Sequence, residues 1–135
     1  MKVDHPFHYD GVLLFAIASA ESDLRVCLTL NQTLGINLSL TDDLDVTIKK
    51  AVVSFRRYMY ESDEGIDKYN FFINWNGANY LVPELKKIDY VLMVQSEGSL
   101  SGIEKSVIRL KLLKEFTAIY KVDHITLKSF DRLIF

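Results

Sequence analysis

Two carboxylates in one short stretch are the side chains of this sequence best placed for acid/base chemistry. They are Glu84 and Asp89, in the nine-residue stretch 82–90 (VPELKKIDY). Pro83 has no N–H for a β-ladder and ends a strand, so we expect the chain to reverse before Ile88. If the flanking strands pair, the two carboxylates lie close together, and each raises the pKa of the other as in an acid/base pair.

A structural role explains the same residues. A carboxylate in a turn accepts hydrogen bonds from turn N–H groups, and Lys86 or Lys87 offsets its charge. We favour this interpretation because acid/base catalysis also needs a pocket, and the sequence shows none. A third interpretation makes the turn a recognition surface with Tyr90 as its anchor, since tyrosine is enriched at interface hot spots.

The stretch 82–90 resembles the signature of the bacterial IPExxxVDY proteins. Val82 stands in place of the first Ile of that signature, and Ile88 stands in place of the Val. The positions that match it, and that become our candidate motif or interaction residues, are Pro83, Glu84, Asp89 and Tyr90. Weaker similarities to the family are Asn31, Leu34-Gly35, Asn37-Leu38 and the closing Leu133-Ile134-Phe135. The family brings no activity, substrate or cofactor, so the resemblance implies a bacterial origin and no particular chemistry.

Other groups that could bind a metal or act as nucleophiles are few. His5 and His8 are three residues apart and precede Asp10, but Pro6 argues against a rigid site, and zinc or iron needs three or four fixed ligands. The single cysteine, Cys27, falls on the apolar stripe of a predicted helix and is interpreted as a core residue. Phosphate-binding glycine loops and the Gly-x-Ser-x-Gly elbow do not occur. We therefore predict no metal and no cofactor.

The charge pattern gives no reason to expect nucleic-acid binding. The formal net charge is −2, whereas nucleic acid usually recruits a strongly basic face. Arg56 and Arg57 are adjacent in a predicted strand and so face opposite sides of the sheet. With Lys49 and Lys50, they are interpreted as solvated charge or edge-strand protection. Several aromatic residues lie on neighbouring predicted strands. We interpret them as core and sheet-face packing and not as a platform that stacks bases. They are Tyr58, Tyr60, Tyr69, Phe72, Trp75 and Tyr80.

The first elements that must position these residues are a strand and a helix. Residues 11–18 form an apolar run without alternation, typical of a strand buried on both faces at the centre of a sheet. A signal peptide is the alternative, but the acidic residues before the run oppose the positive charge that such a segment needs. Ser19 or Ser22 then offers an N-cap for a helix over 24–34, and Gly35 supplies its C-cap.

The rest of the chain is predicted to form further strands and one more helix. Residues 41–45 are expected to form a short acidic turn, which lacks the Gly and Glu of a calcium loop. Asn76-Gly77 is the strongest short hairpin signal, and Ser101 with Glu104 forms a capping box for the second helix. The remaining strands are predicted at Val52–Tyr60, Lys68–Trp75, Asn79–Val82, Ile88–Gln95 and Phe116–Val122.

These elements predict one α+β domain over residues 1–135, in the order β-α-β-β-β-β-α-β. The expected architecture is a two-layer sandwich, a largely antiparallel sheet covered by two helices. A ferredoxin-like arrangement, βαββαβ with an inserted hairpin, is compatible with this order.

Function remains open at the level of sequence. Our first hypothesis is a non-catalytic protein-interaction or regulatory module of the bacterial cytoplasm, with an unidentified protein partner or self-association as a homodimer. A lone cysteine cannot form an intrachain disulfide, which favours a reducing compartment. The alternatives are a small enzyme using Glu84 and Asp89, or a ferredoxin-like RNA-binding module. No apolar run reaches the length of about 20 residues that a membrane helix needs.

Overall fold

The structure is a computed structural model that describes residues 11–135. These residues form the strands of an antiparallel sheet and two α-helices, with a smaller two-stranded ladder and short 3-10 helices. The metal hypothesis for His5, His8 and Asp10 therefore lies outside the described residues. The strands and helices are β1 (Val12–Ala18), α1 (Asp23–Leu34), β2 (Ser39–Leu40), β3 (Leu44–Ile48), β4 (Ala51–Phe55), β5 (Arg57–Glu61), β6 (Asp67–Ile73), β7 (Tyr90–Ser96), α2 (Leu100–Arg109) and β8 (Ala118–Val122). No helix among these residues is long and apolar enough to cross a membrane.

The main sheet has six antiparallel strands in the order β2-β5-β6-β7-β1-β8. The run β6-β7-β1-β8, with α1 after β1 and α2 after β7, has the ferredoxin-like order of a split βαβ pair. β2 and β5 extend it at one edge. β1 pairs with β7 on one side and β8 on the other, and all but its last residue are buried. Its uninterrupted apolar sequence thus predicted its central place correctly.

Both faces of the sheet are covered. On one face α1 and α2 pack over a cluster that includes Phe15 and Phe71, both fully buried. On the other face a second cluster surrounds Phe55 and Phe72, which are also fully buried. The predicted α+β sandwich is therefore confirmed, and its second face is closed by the β3–β4 hairpin and by the 3-10 helices after β8. Those short helices are His124–Thr126 and Lys128–Leu133.

The middle of the chain contains more strands than predicted. The strand expected at 52–60 is divided at Arg56 into β4 and β5, which belong to different sheets. The expected acidic turn at 41–45 instead leads into β3, because Leu44 and Val46 alternate with polar residues and bury on the second face. β3 and β4 form a separate two-stranded ladder. Lys49 and Lys50, at φ values of 51° and 69°, make its two-residue turn.

The helix ends match the sequence in one case and differ in the other. Ser22 caps α1 by accepting the N–H of Arg25 at 3.2 Å, and Gly35 ends it at a φ of 67°. The prediction of a capping box formed by Ser101 and Glu104 at the start of α2 was wrong. The helix begins at Leu100 without a side-chain cap, and Glu104 instead pairs with Lys121 of β8 at 3.3 Å.

The predicted hairpin at Asn76-Gly77 forms only in part. A single bridge joins Trp75 to Tyr80, and residues 79–82 are not a strand. The Oδ1 of Asn76 accepts the N–H of Ala78 at 3.0 Å, so this segment is a turn held by side chains. Backbone groups of the residues after this turn bond to the side chain of Asn74 and not to a neighbouring strand.

Candidate functional site

The motif stretch 82–90 reverses the chain before β7, as predicted. β7 pairs directly with β6, because the return strand predicted at 79–82, which would have lain between them, does not form. Pro83–Leu85 forms one 3-10 turn, because proline fixes a helical φ and has no N–H to leave unpaired at the first position. Lys87 follows at a φ of 71°, in the left-handed region, and turns the chain toward β7. The stretch is therefore a compact connection whose side chains must be held by other segments.

Asn74 holds this connection from the inside. Its side chain is fully buried directly after β6. Its Nδ2 donates to the carbonyl oxygens of Leu85 at 3.1 Å and Ile88 at 3.0 Å, and its Oδ1 accepts the N–H of Val82 at 2.8 Å. Its backbone N–H donates to the carbonyl of Asp89 at 2.9 Å. One amide thus fixes both ends of the turn. Asn74 was not among the candidate residues predicted from the sequence, where it is one polar residue of the strand expected at 68–75.

Glu84 bonds to the C-terminal segment. Its carboxylate accepts the backbone N–H of Ser129 at 3.0 Å and also accepts the Ser129 hydroxyl. Burial acts to raise the pKa of Glu84, but the Ser129 hydroxyl and the backbone N–H groups of Glu84, Ser129 and Lys128 outweigh it and hold the pKa below its ordinary value. The carboxylate is therefore ionised at neutral pH and acts as an acceptor that ties the turn to the tail.

Asp89 bonds to the end of β1. Its Oδ2 accepts the backbone N–H of Ser19 at 2.9 Å, and its own N–H donates to the carbonyl of Ile17 at 3.1 Å. The hydroxyl of Ser19 donates in turn to the carbonyl of Glu115 at 2.5 Å. This carboxylate thus joins the motif to β1 and, through Ser19, to the segment before β8.

Tyr90 lies inside the helix-covered face. Its side chain is 8% exposed and stacks on Phe71 with ring centroids 5.1 Å apart. Its hydroxyl donates to the carbonyl of Glu21 at 2.7 Å. Burial, followed by the negative charges of Asp23, Asp89 and Glu21, raises the pKa of Tyr90 to about 12. The ring is a core residue and does not present itself as the anchor of a recognition surface.

The two motif carboxylates therefore serve different segments. Glu84 faces the C-terminal segment and borders an open groove of about 600 Å³, whose wall also includes Pro83, Ser129 and Arg132. Asp89 is not among the residues that line this groove. Within residues 11–135 the two carboxylates bond to different segments, and the groove at Glu84 does not bring Asp89 beside it as an acid/base pair would require. This arrangement agrees with the turn-bonding role that the sequence favoured.

The thiol of Cys27 is also buried in the core. It is 2% exposed on the inner side of α1, where burial and then the charge of Asp23 raise its pKa to about 12. A thiol with such a pKa stays protonated at neutral pH and is a poor nucleophile.

An apolar surface lies at the β2 edge of the sheet. We call it the leucine edge, and it consists of Leu24, Leu28 and Leu40, which are 58%, 48% and 61% exposed. Leu24 and Leu28 are one turn apart on α1 and share its face. The next residue on that stripe, Asn31, bonds both backbone groups of Leu38, at 2.7 Å and 3.1 Å. The stripe therefore faces the β2 segment.

Contacts beside the first turn of α1 place Leu40 next to this stripe. Leu40 lies opposite Tyr58 in the β2–β5 ladder. The Tyr58 hydroxyl donates to the carboxylate of Asp23 at 2.8 Å, and Arg56 pairs with the same carboxylate at 3.1 Å. The leucine edge is thus one surface, formed by a helix and the outermost strand and bordered by an ion pair.

Most aromatic rings of the central strands are buried, and on the face opposite the helices the only ring of the main sheet, among residues 11–135, that is substantially exposed is that of Tyr120. Phe72 is fully buried beneath the C-terminal segment, and Tyr69 and Tyr58 are buried on the helix side. RNA-binding sheets of this topology stack bases on exposed aromatic residues. Burial of these three rings agrees with their interpretation as packing residues.

Comparison with known proteins adds no relative from which a function could be taken. No protein-family model matches this chain, and no curated protein matches its sequence.

Proposed function

We propose that this chain is a non-catalytic protein-interaction module of the bacterial cytoplasm, and that it binds its partner through the leucine edge. The observation that carries the proposal is the exposure of Leu24, Leu28 and Leu40 on a helix and a strand that hydrogen bonds hold side by side. Single exposed leucines are ordinary. Several that adjoin each other, bordered by charged residues, are typical of a protein-binding surface.

The motif supports the non-catalytic part of the proposal. Glu84, Asp89 and Tyr90 each accept or donate hydrogen bonds that connect segments of the fold, so each has a structural role. A catalytic acid or base must instead be free to reach a substrate. The resemblance to IPExxxVDY proteins stays a prediction, and under this proposal the signature marks a folding element.

The leucine edge offers a partner both apolar area and backbone groups. Complete burial of a fully exposed leucine contributes about 1.5–3 kcal/mol, and each of these half-exposed leucines can contribute about half of that to binding. β2 is the outermost strand of the main sheet. Because hydrogen-bonded and non-bonded pairs alternate along the β2–β5 ladder, the backbone groups of Leu40 face outward and can pair with an added strand. Asp23 and Arg56 at the border favour a partner that presents a complementary ion pair.

The test compares a leucine-to-lysine substitution in the leucine edge with the same substitution at an exposed leucine elsewhere. Leu28→Lys places a charge in the leucine edge, and Leu112→Lys places the same charge at the end of α2, where the leucine is 78% exposed. We expect both variants to fold, since both side chains are in solvent. Sedimentation equilibrium of each then measures self-association.

Three outcomes decide the proposal. Loss of a wild-type dimer in Leu28→Lys but not in Leu112→Lys identifies a second copy as the partner. If the wild type is monomeric, a protein retained from native lysate by wild type and Leu112→Lys, and lost by Leu28→Lys, identifies a different partner. Equal behaviour of all three proteins in both assays would contradict binding through the leucine edge.

A further inference from the structure

A small pocket on the face opposite the helices contains polar groups that the fold leaves unused. We call it the Arg57 pocket. Its volume is about 80 Å³, roughly the room of two or three waters in the liquid. Its walls include two cations, two amides and two apolar residues of the tail, which are Arg57, Lys68, Asn70, Gln95, Leu133 and Phe135.

Strand register brings these residues together from distant parts of the chain. Lys68 lies directly opposite Gln95 in the β6–β7 ladder. Asn70 is two residues from Lys68 on the same face of β6, and Arg57 reaches it from β5. The Phe135 ring closes the pocket by lying 4.8 Å from the Arg57 guanidinium carbon.

The first unused group is the amide nitrogen of Asn70. The side chain is 2% exposed, and its Oδ1 accepts from Nη1 of Arg57 at 2.9 Å. A guanidinium only donates, so the oxygen must face Arg57 and the NH₂ group must face away from it. Within residues 11–135 this NH₂ has no acceptor. No described side-chain nitrogen or oxygen is both fully enclosed and without a partner, so the NH₂ opens into the pocket that Asn70 lines.

The second unused group is the charge of Arg57. The residue is half-buried, and its Nε donates to the backbone carbonyl of Asp42 at 3.2 Å. Burial lowers the pKa of Arg57, and the charge of Asp42 offsets this only in part. Among the described residues no carboxylate forms an ion pair with Arg57 or Lys68. A half-buried cation without a counter-ion is costly to keep in a folded protein.

We propose that the Arg57 pocket binds a small oxyanion, a phosphate or carboxylate group. The oxyanion accepts from the NH₂ of Asn70 and from the free guanidinium nitrogen of Arg57, while Lys68 adds a second positive charge at the mouth. Charge-assisted hydrogen bonds from a guanidinium are the strongest that side chains form with such groups. Two neighbouring negative charges oppose binding: Asp42, whose charge acts on Arg57, and Glu61, which lies opposite Lys68 in the β5–β6 ladder.

The experiment follows the side-chain amide signals by NMR during separate titrations with inorganic phosphate and with acetate, at constant ionic strength kept with chloride. We expect the Asn70 NH₂ signals, assigned by their absence from Asn70→Asp, to shift and saturate. Saturation by phosphate alone identifies a phosphoryl group, and saturation by acetate alone or by both identifies a carboxylate-accepting site. No saturable shift of these signals with either anion would overturn the proposal.

Two variants and one control make the result specific. Lys68→Gln removes an exposed charge and keeps the fold, so we expect the dissociation constant to rise about threefold to tenfold. Asn70→Asp keeps the acceptor for Arg57 and fills the pocket with negative charge, so binding should disappear. Lys111→Gln removes an exposed lysine after α2 and should leave affinity unchanged. Equal weakening in Lys68→Gln and Lys111→Gln would show only general charge attraction and would contradict a built site.

Discussion

Asn70 and Asn74 are two buried asparagines that lie four residues apart and on the same face. Asn70 belongs to β6, and Asn74 is the residue that follows this strand. Their burial is nearly identical, at 2% and 0% exposure. Asn74 uses both N–H groups and its oxygen in bonds to the motif turn. Asn70 uses only its oxygen, on Arg57, and its NH₂ opens into the Arg57 pocket.

The difference separates architecture from function in this fold. A buried polar group that is fully bonded stabilises one conformation and has nothing left to offer a ligand. A buried polar group with a free donor costs stability in the absence of a ligand, and it keeps that donor for an acceptor from outside. The sequence motif around 82–90 thus marks the bonded region, whereas the region with free donors has no sequence signature.

The largest expected effect comes from removing the amide of the bonded region. Asn74→Ala leaves the N–H of Val82 and the carbonyl of Ile88 without partners, and the carbonyl of Leu85 keeps only the N–H of Ile88. We expect the free energy of unfolding to fall by about 3–5 kcal/mol, since each orphaned group costs about 1–3 kcal/mol. Urea unfolding followed by circular dichroism measures it. Asn79→Ala, in the neighbouring turn, is the control and should change stability by much less. A loss below about 1 kcal/mol in Asn74→Ala would contradict the role given to Asn74.

A smaller effect is expected from the motif carboxylate that bonds the tail. Glu84→Gln removes a charged acceptor from Ser129, and we expect a loss of about 1 kcal/mol at neutral pH, given the partial exposure of the residue. Because the folded-state pKa of Glu84 is depressed, its contribution is complete above the unfolded pKa of about 4.3. It disappears as the pH falls through the lower, folded-state pKa.

Urea unfolding of wild type and Glu84→Gln across acid pH checks this dependence. The two free energies of unfolding should converge as the pH falls, and they should differ by a constant amount above about pH 5. A gap that widens toward acid pH would show that the carboxylate is not stabilised by these bonds.

The smallest expected effect sharpens the description of the Arg57 pocket. Glu61→Gln removes the negative charge opposite Lys68, so phosphate or acetate should bind about twofold to threefold more tightly. The same NMR titration measures it, with Glu64→Gln in the nearby turn as the matched control. Weaker binding in Glu61→Gln than in Glu64→Gln would place the anion away from Lys68.

Local features of the fold could be predicted because they depend on neighbouring residues. The apolar run of β1 gave its burial on both faces, and Gly35 gave the end of α1. The reversal before β7 was predicted from Pro83, although Pro83 does not end a strand, since residues 79–82 form none. The opposite directions of Arg56 and Arg57 followed from strand alternation alone, and the structure confirms them, with Arg56 on Asp23 and Arg57 on Asn70.

Features that depend on partners distant in sequence could not be predicted. Glu84 meets Ser129 across a separation of 45 residues, and nothing in the sequence pairs them. The hairpin signal at Asn76-Gly77 produced a turn and a single bridge but no return strand, and the N–H of Val82 bonds to the side chain of Asn74. Arg57 was interpreted as solvated or edge-protecting charge, yet it is half-buried, since the tail residue Phe135 packs over it.

One pair of isosteric substitutions tests the contrast between the two asparagines most directly. Asn74→Asp sets a carboxylate oxygen against the carbonyls of Leu85 and Ile88. Asn70→Asp keeps the bond to Arg57 and places the new charge beside two cations. In urea unfolding at neutral pH we expect Asn74→Asp to lose several kcal/mol and Asn70→Asp to lose nothing or gain up to about 1 kcal/mol. Equal destabilisation by the two substitutions would contradict the account, because it would mean that the Asn70 amide is bonded within the fold like that of Asn74.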